Sequence, residues 1–273
     1  MRRELIRPPV SKQVRGARPV MCVALAGLLG CGVGTDCRAQ AGVLFAVPTE
    51  LESPQALPPH APWHIALHAA DVSVLARALN VAPPPAEAHA LDYTLDRYPE
   101  ISGSPARTWR ESTFVIDYQE REVAELYAGF LKAQAGRAWS RQSLVDFVAA
   151  SMTPSVGHPF EVASQVARTR NGDCKGYAVL TAALARSAGV PARVAFGFVL
   201  LEHDGHYATF GHAWAESREA EHWVVADAAM RKYPGAARYL PLGILNDEGP
   251  GFEMSVMRLT PAWVERITIR GAP

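Results

Sequence analysis

Cysteine is scarce in this sequence, and its scarcity limits how the fold can be held together. Three of the four cysteines, at positions 22, 31 and 37, lie in or just after an N-terminal leader, so cleavage after Ala41 leaves Cys174 alone. One thiol cannot form a disulfide within the chain, and the fold must therefore depend on its apolar core. A free thiol in an exported protein is more easily explained by catalysis than by structure.

The chain also lacks an internal repeat, an excess of positive charge and a long apolar run. Its 27 Lys and Arg residues balance 27 Asp and Glu residues. Removing residues 1 to 41 takes away seven basic and two acidic residues, which leaves 20 basic and 25 acidic residues. This balance excludes the strongly basic surface of a nucleic-acid-binding protein, and no nucleic-acid partner is predicted.

The first 41 residues have the pattern of an export signal. The leader opens with a basic segment that contains Arg2, Arg3, Arg7, Lys12, Arg15 and Arg18. The uncharged stretch from Val20 to Gly34 follows, and it is shorter than the ~20 residues that a transmembrane helix needs. Residues 39 to 41 (Ala-Gln-Ala) then supply the small residues of a signal-peptidase site. The sequence therefore predicts a periplasmic or secreted protein whose mature chain begins near Gly42.

A second interpretation of the same leader starts from Leu28-Leu29-Gly30-Cys31. This segment resembles a lipobox, in which Cys31 becomes lipid-modified and forms the mature N-terminus of a bacterial lipoprotein anchored to the membrane. The sequence leaves both interpretations open, and with them the membrane tether. It does not indicate an oligomeric state.

Cys174 has the surroundings of a thiol nucleophile. A thiol reacts after it becomes a thiolate, which a helix N-terminus and a neighbouring imidazole both favour. Gly172 and Asp173 end a turn and supply an N-cap, and the alanine- and leucine-rich segment after them predicts a helix. Cys174 would then lie in the first turn, where the helix dipole stabilises a negative sulfur. His212 and Asp227 follow at separations of 38 and 15 residues.

Strands predicted after this helix bring His212 and Asp227 together. They cover residues 192 to 201, 209 to 216 and 223 to 227. If the last two strands pair with Glu216 opposite Trp223, His212 lies opposite Asp227. Directly opposed side chains have Cβ atoms about 4.5–5.5 Å apart, so the carboxylate could orient the imidazole. Glu216 lies about 13 Å along the strand from His212, which is too far to replace Asp227.

Several ordered motifs in residues 140 to 230 resemble the core of the bacterial transglutaminase-like superfamily. They are Gly172-Asp173-Cys174, Tyr-Ala-Val-Leu at 177–180, Ala-Ala-Leu-Ala-Arg at 182–186, Gly-Val-Pro-Ala-Arg-Val at 189–194, Gly-His-Ala-Trp-Ala-Glu at 211–216 and Trp-Val-Val-Ala-Asp at 223–227. The resemblance implies a papain-like α+β fold. In such a fold the catalytic Cys begins a helix packed on an antiparallel sheet that carries the His and the Asp, with additional helices on the N-terminal side.

Carried over by position, the resemblance makes Cys174 the nucleophile, His212 the general acid and base, and Asp227 the carboxylate that orients the imidazole. A group of this kind attacks amide or ester carbonyls. Many relatives continue after the Asp with Pro and Thr, whereas this chain has Ala228-Ala229-Met230. The turn that holds Asp227 is therefore expected to differ.

Three further residues are candidates for the site. The backbone N–H of Cys174 is an expected donor to an oxyanion, and Gln165 is a candidate second donor, with a surface position on the preceding helix as its alternative. Tyr177 and Trp214 are candidates to line a substrate cleft, although aromatic residues in such elements more often belong to the core.

A metal site is the main alternative use of the histidines. His203, His206, His212 and His222 are close in sequence, but the first two lie in a polar turn and no second Cys is near. The sequence therefore predicts no metal and no other cofactor.

The chain divides into three parts by its composition and spacing. They are the leader (1–41), a Pro-rich tether followed by a helix (42–90), and the catalytic domain (91–273). Within the second part, the tether is expected at 47–62 and a helix at 63–79. Further predicted elements are a short strand-prone segment at 113–118, helices at 121–135, from 143 and at 160–168, and an edge strand at 266–269.

Three functions from different classes fit these observations. The first is an exported thiol enzyme that acylates Cys174 with a peptide or protein amide and passes the acyl group to water or to an amine. The second is a catalytically silent module that uses the same cleft to bind peptide or cell-wall material. The third is an exported metal-binding protein. The complete Cys-His-Asp set favours the enzyme.

Overall fold

The computed structural model describes residues 46–52, 61–101, 109–137, 139–155, 157, 159–252 and 264–270. The predicted leader, with cleavage after Ala41 or lipidation of Cys31, lies outside these residues. The helices of the described part are α1 (Val72–Ala78), α2 (Arg121–Gln134), α3 (Arg141–Ser151), α4 (Ala163–Thr169) and α5 (Cys174–Ser187). In the part that the structure describes, no helix has the length and apolar character that a membrane span requires.

The strands of the described residues form one five-stranded sheet, one four-stranded sheet and one short pair. They are β1 (Ala46–Val47), β2 (Thr49–Leu51), β3 (Trp63–Ala69), β4 (Ala90–Leu95), β5 (Thr153–Pro154), β6 (Asn171–Gly172), β7 (Ala192–His203), β8 (His206–Glu219), β9 (His222–Ala226), β10 (Ala236–Ile244) and β11 (Val264–Arg270). Helices and mainly antiparallel sheets, in which only the β2–β11 and β5–β6 pairs of the described residues are parallel, give the α+β fold that the sequence predicts.

The five-stranded sheet is built around a long antiparallel hairpin. β7 and β8 pair from Ala192 opposite Ser217 to His203 opposite His206. β1 and β9 both pair with β8, and β10 pairs with the other edge of β7. The three strands predicted in this region are confirmed, each within three residues of its expected ends. β10 is not among the predicted strands.

Helix α5 packs against this sheet and lies almost wholly inside the protein. Residues 176–186 are all buried, so the helix has no solvated face along most of its length. Its many alanines let β8 on one side and α2, α3 and α4 on the other approach closely. Asp173 is the N-cap, as predicted, and its Oδ1 accepts a hydrogen bond from the backbone N–H of Lys175 (3.0 Å). The cap and the surrounding core fix the position of the first turn.

The predicted helix at 63–79 is wrong over its first half. Residues 63–69 form β3, and only Val72–Ala78 are helical, after Asp71 accepts a hydrogen bond from the N–H of Ser73 (2.9 Å). Most of β3 is buried, and His64 and His68, on the same face of the strand, are its two half-exposed residues. β3 is held on both sides, by β4 and by the distant β11, which no local pattern reveals.

Two other expectations for the outer parts of the chain also need correction. β11 confirms a strand at 266–269, but it lies between β2 and β3 and is not an edge. Part of the expected tether is strand, because residues 46–47 pair with β8 and 49–51 pair with β11. Residues 53–60 lie outside the described part.

The strand-prone segment at 113–118 is a loop instead of a strand, and only its central pair is buried. Val115 and Ile116 are fully buried, and the N–H of Val115 donates to the carbonyl of Glu248 (3.0 Å). The apolar pair therefore anchors a loop to the core without joining a sheet. The helices predicted nearby are confirmed as α2, α3 and α4.

Gly197 allows β10 to approach β7 beside the candidate site. It lies opposite His212 in the β7–β8 pairing and opposite Pro241 in the β7–β10 pairing. A Cβ at this position would lie 2.1 Å from the carbonyl oxygen of Leu240. Only glycine fits here, because backbone atoms cannot move aside as the end of a side chain can.

We expect Gly197→Ala to lower the free energy of unfolding by at least about 1–3 kcal/mol, the usual cost of overpacking. Urea unfolding measures this change. Gly129→Ala is the matched control, because its Cβ would meet only Phe147 at an ordinary 3.9 Å on an exposed part of α2. That control should be neutral or stabilising by up to about 1 kcal/mol. Equal effects of the two changes would contradict the steric argument.

Candidate active site

Cys174 is the first residue of α5 and is half-buried. The carboxylate of Asp173 caps the helix and also forms an ion pair with the Nζ of Lys175. This pairing balances the negative charge next to the thiol. The positive end of the helix dipole therefore remains available to the sulfur of Cys174.

His212 lies between Cys174 and Asp227. Its Nε2 is 2.7 Å from Oδ2 of Asp227, and the imidazole also forms a hydrogen bond with the side chain of Cys174. Because Nε2 bonds the carboxylate, Nδ1 is the ring nitrogen left to exchange a proton with the thiol. The side chains of His212 and Asp227 are 6% and 4% exposed, so water does little to weaken their interaction.

The predicted contact between His212 and Asp227 is present, but the predicted strand register is wrong by two residues. Glu216 pairs with Val225, and Trp223 pairs with Arg218. A shift of two residues keeps every side chain on its own face of the sheet. Asp227 then follows the end of β9 and reaches His212 along the diagonal, a distance that long side chains can span.

Four hydrogen bonds hold the carboxylate of Asp227. Its Oδ1 accepts from the backbone N–H groups of Ala229 (2.9 Å) and Met230 (3.2 Å). Its Oδ2 accepts from His212 and from the hydroxyl of Tyr239 (2.9 Å). The turn after Asp227 therefore fixes the carboxylate without the Pro and Thr of many relatives. Tyr239 is a residue of the site that the sequence did not indicate.

Two opposing effects set the pKa of His212. Burial lowers it, while the charge of Asp227, the hydrogen bond to Asp227 and the contact with Cys174 raise it, and together they bring the pKa to about 10 from the usual 6.5. His212 is therefore an imidazolium at neutral pH. A cation at this position favours a thiolate on Cys174.

We expect the free energy of unfolding to fall as the pH rises from 6.5 towards about 10. Below 6.5 both states hold the His212 proton, so the stabilisation is complete. Above 6.5 the unfolded chain releases the proton that the folded protein retains, and the stabilisation is lost as the pH passes through the folded pKa.

Urea unfolding at several pH values tests this dependence. His212→Gln should flatten the decline, whereas the matched change at the exposed His222, His222→Gln, should leave it unchanged. A His212→Gln variant with the wild-type pH dependence would show that His212 does not carry the effect.

Trp214 and Tyr177, the two candidates to line a cleft, are both buried. The indole of Trp214 stacks on the imidazole of His212, with ring centroids 6.0 Å apart, and its Nε1 donates to the hydroxyl of Tyr98 (3.0 Å). The hydroxyl of Tyr177 donates to the carbonyl of Met152 (3.3 Å). Both side chains therefore lie in the core, as aromatic residues in such elements more often do.

Glu216 forms a separate buried pair behind the site. Its carboxylate bonds Nε of Arg193 and accepts from the hydroxyl of Tyr98. Arg193 in turn lies 4.1 Å from the ring centroid of Trp223. Glu216 is thus engaged elsewhere, in agreement with the distance argument that separates it from His212.

Gln165 is exposed on α4, at the surface position predicted as its alternative. Its part in an oxyanion hole remains a prediction. The other histidines have different partners, since His203 lies 3.5 Å from Asp204 and His222 bonds Glu100 (2.8 Å). Within the described residues, no group of three or more His, Cys, Asp or Glu side chains is arranged to hold a metal ion.

Comparison with known proteins identifies a family for the central part of the chain. Residues 120–228 match the model of the Transglutaminase-like superfamily, and no curated protein matches the chain. Among solved structures, a candidate cysteine protease from Cytophaga hutchinsonii is 16% identical with a TM-score of 0.40, covering 60% of this chain and 50% of that one. The ethylmercury-bound periplasmic domain of TgpA from Pseudomonas aeruginosa is 22% identical with a TM-score of 0.31, covering 41% and 45%. The chain spans half the length of these two proteins or less.

Proposed function

Residues 120–228 belong to the transglutaminase-like superfamily, and from this membership we propose that the chain is a cysteine-dependent acyl-transfer enzyme acting on amide bonds of peptides or proteins. One observation carries the proposal. His212 is held between the thiol of Cys174 and the carboxylate of Asp227, with Cys174 at the start of a helix. A nucleophile, a base and a group that orients the base are the parts that thiol catalysis requires.

In the first half of the reaction, the thiolate of Cys174 attacks the carbonyl carbon of the amide. A C–S bond forms and the carbonyl π electrons move to oxygen, which gives a tetrahedral oxyanion. The oxyanion then collapses, the C–N bond breaks, and the imidazolium of His212 gives its proton to the leaving nitrogen. The products are a thioester on Cys174 and a free amine or ammonia.

The backbone N–H of Cys174 supports the charge that develops on the oxygen. An N–H in the first turn of a helix has no partner within the helix and points towards its N-terminal end. Loss of one such donor typically costs ~10²- to 10³-fold in rate. An ordinary substitution cannot remove a backbone N–H. Side-chain variants therefore test the roles of Cys174, His212 and Asp227 instead.

In the second half, neutral His212 takes a proton from water or from an amine as that nucleophile attacks the thioester. The C–S bond breaks, the thiolate returns and His212 is again protonated. Water gives a carboxylic acid, as in a peptidase or amidase, and an amine gives a new amide, as in a cross-linking enzyme. The thioester is the same in both cases, so the two outcomes differ only in the acceptor.

We further propose that the reaction takes place outside the cytoplasm. The support is the basic, apolar and small-residue pattern of residues 1–41. If Cys31 is lipidated, the enzyme is held at a membrane surface. Intact-mass measurement of the protein recovered from its native compartment separates the two, because cleavage after Ala41 and lipidation at Cys31 give different N-termini.

The proposed activity can be tested without knowing the substrate. The purified protein is first labelled with iodoacetamide across pH and read by intact mass, since an ion pair with His212 should keep Cys174 reactive below pH ~7, where a free thiol is not. It is then incubated with a peptide library and hydroxylamine, which converts a thioester to a hydroxamate. Hydroxamate formation supports acyl transfer. A Cys174 that reacts only as an ordinary thiol, with no hydroxamate, would favour the catalytically silent module.

A further inference from the structure

Tyr239 reaches the candidate site from a strand that lies two strands away from His212. It is on β10, which pairs with β7, which in turn pairs with β8. Its hydroxyl donates to Oδ2 of Asp227 (2.9 Å), the same oxygen that bonds Nε2 of His212 (2.7 Å). The two donors therefore meet at one carboxylate oxygen.

Two aromatic rings pack beside the imidazole of His212. The ring of Trp214 stacks on His212 at 6.0 Å, and the ring of Tyr239 lies 6.3 Å from His212 and 5.2 Å from Trp214. In this enclosed place the carboxylate has little water to solvate it, so a protein donor has a larger effect than it would have at the surface.

We propose that Tyr239 is a positioning residue for acyl transfer, which acts through Asp227 by sharing its negative charge and fixing the direction of Oδ2 towards His212. This inference rests on the proposed function, because it gives His212 a catalytic role. A hydrogen bond from Tyr239 limits how strongly Asp227 attracts the imidazolium proton. His212 therefore keeps its proton while it stabilises the thiolate, and still releases it to the leaving nitrogen.

The groups that influence the pKa of His212 come from several elements. They are Cys174 on α5, Asp227 after β9 and Tyr239 on β10, while Tyr98 lies behind Tyr239 and Trp214. Burial, the charge of Asp227 and the bond to it raise the pKa of Tyr239 well above 10. The phenol thus remains a donor throughout the range in which His212 titrates.

The test measures the alkylation rate of Cys174 by iodoacetate, an anion that reacts faster while the neighbouring imidazole is protonated. The upper inflection of the pH–rate profile then reports the loss of the His212 proton. Tyr239→Phe removes only the hydroxyl and should move this inflection upward by about 0.5–1 pH unit, because Asp227 keeps more of its charge for His212. Tyr93→Phe, at a half-buried tyrosine on β4 of the other sheet, is the matched control and should move nothing.

A double-mutant cycle shows whether Tyr239 acts through Asp227. In an Asp227→Asn background the inflection itself should lie at lower pH, and adding Tyr239→Phe should shift it no further. A wild-type profile in the Tyr239→Phe variant, or an equal shift in both backgrounds, would overturn the inference. If the wild-type protein itself shows no reactive Cys174 below pH ~7, the proposed function fails instead.

A second variant guards against misfolding of the first. If Tyr239→Phe fails to fold, 3-fluorotyrosine placed at 239 keeps the shape and donates a stronger hydrogen bond. It should move the inflection downward, and an unchanged or raised inflection would contradict the role of Tyr239.

Discussion

Cys174→Ala is expected to abolish acyl transfer while leaving the fold intact. The nucleophile forms the thioester, so its loss should bring hydroxamate formation down to background, a fall of at least about 10³-fold. The fold should survive because alanine is the best helix former, Asp173 still caps α5, and the half-buried thiol contributes little to the core. Cys174→Ser should also be nearly inactive, because a hydroxyl is far harder to deprotonate than a thiol.

Hydroxamate formation and thermal melting of the same preparations provide the measurement. Ser187→Ala is the matched control at the far end of the same helix, where the hydroxyl bonds only the carbonyl of Ala183 (3.0 Å). It should retain full activity. A fully active Cys174→Ala variant would end the thiol mechanism. If wild type and variant bind peptides equally well and neither forms hydroxamate, the catalytically silent module becomes the better explanation.

The nucleophile could be placed from the sequence because its position depends on neighbouring residues. A turn, the N-cap Asp173 and a run of helix formers define the start of α5 within a few residues of Cys174. The contact between His212 and Asp227 also follows from local information, because strand periodicity assigns side chains to faces. The register error of two residues did not matter, since it preserved those faces.

The residues that surround Cys174, His212 and Asp227 could not be predicted from the sequence, because their positions depend on contacts between distant parts of the chain. Tyr239 lies on β10, where Pro241 interrupts the strand pattern and the pairing with β7 shifts register between Pro241 and Gly243. The apolar residues of the β3 segment fit the periodicity of a helix as well as that of a strand. Pairing with β11, near the other end of the sequence, selects the strand. The burial of Trp214 and Tyr177 likewise depends on neighbouring residues that no local sequence pattern predicts.

Asp227→Asn should reduce acyl transfer by orders of magnitude, up to about 10⁴-fold, as in triads whose carboxylate is replaced by an amide. In the most disruptive arrangement an N–H₂ group replaces Oδ2 and faces the N–H at Nε2 of His212. The imidazole avoids these opposed N–H groups by carrying its proton on Nδ1 instead of Nε2. Protonated Nδ1 then has no free lone pair to accept the proton of the thiol. Without the charge of Asp227, burial also lowers the pKa of His212, so the imidazolium that stabilises the thiolate is lost.

The fold should change much less than the rate, and this contrast distinguishes an orienting role from a structural one. The amide oxygen can still accept from the N–H groups of Ala229 and Met230, so the turn after β9 persists. The decline in stability between pH 6.5 and about 10 should disappear together with the raised pKa of His212. Asp146→Asn is the matched control, at an exposed carboxylate that pairs with Arg231 on the surface. If both Asn variants keep wild-type turnover, Asp227 does not orient His212, even if Cys174 proves essential.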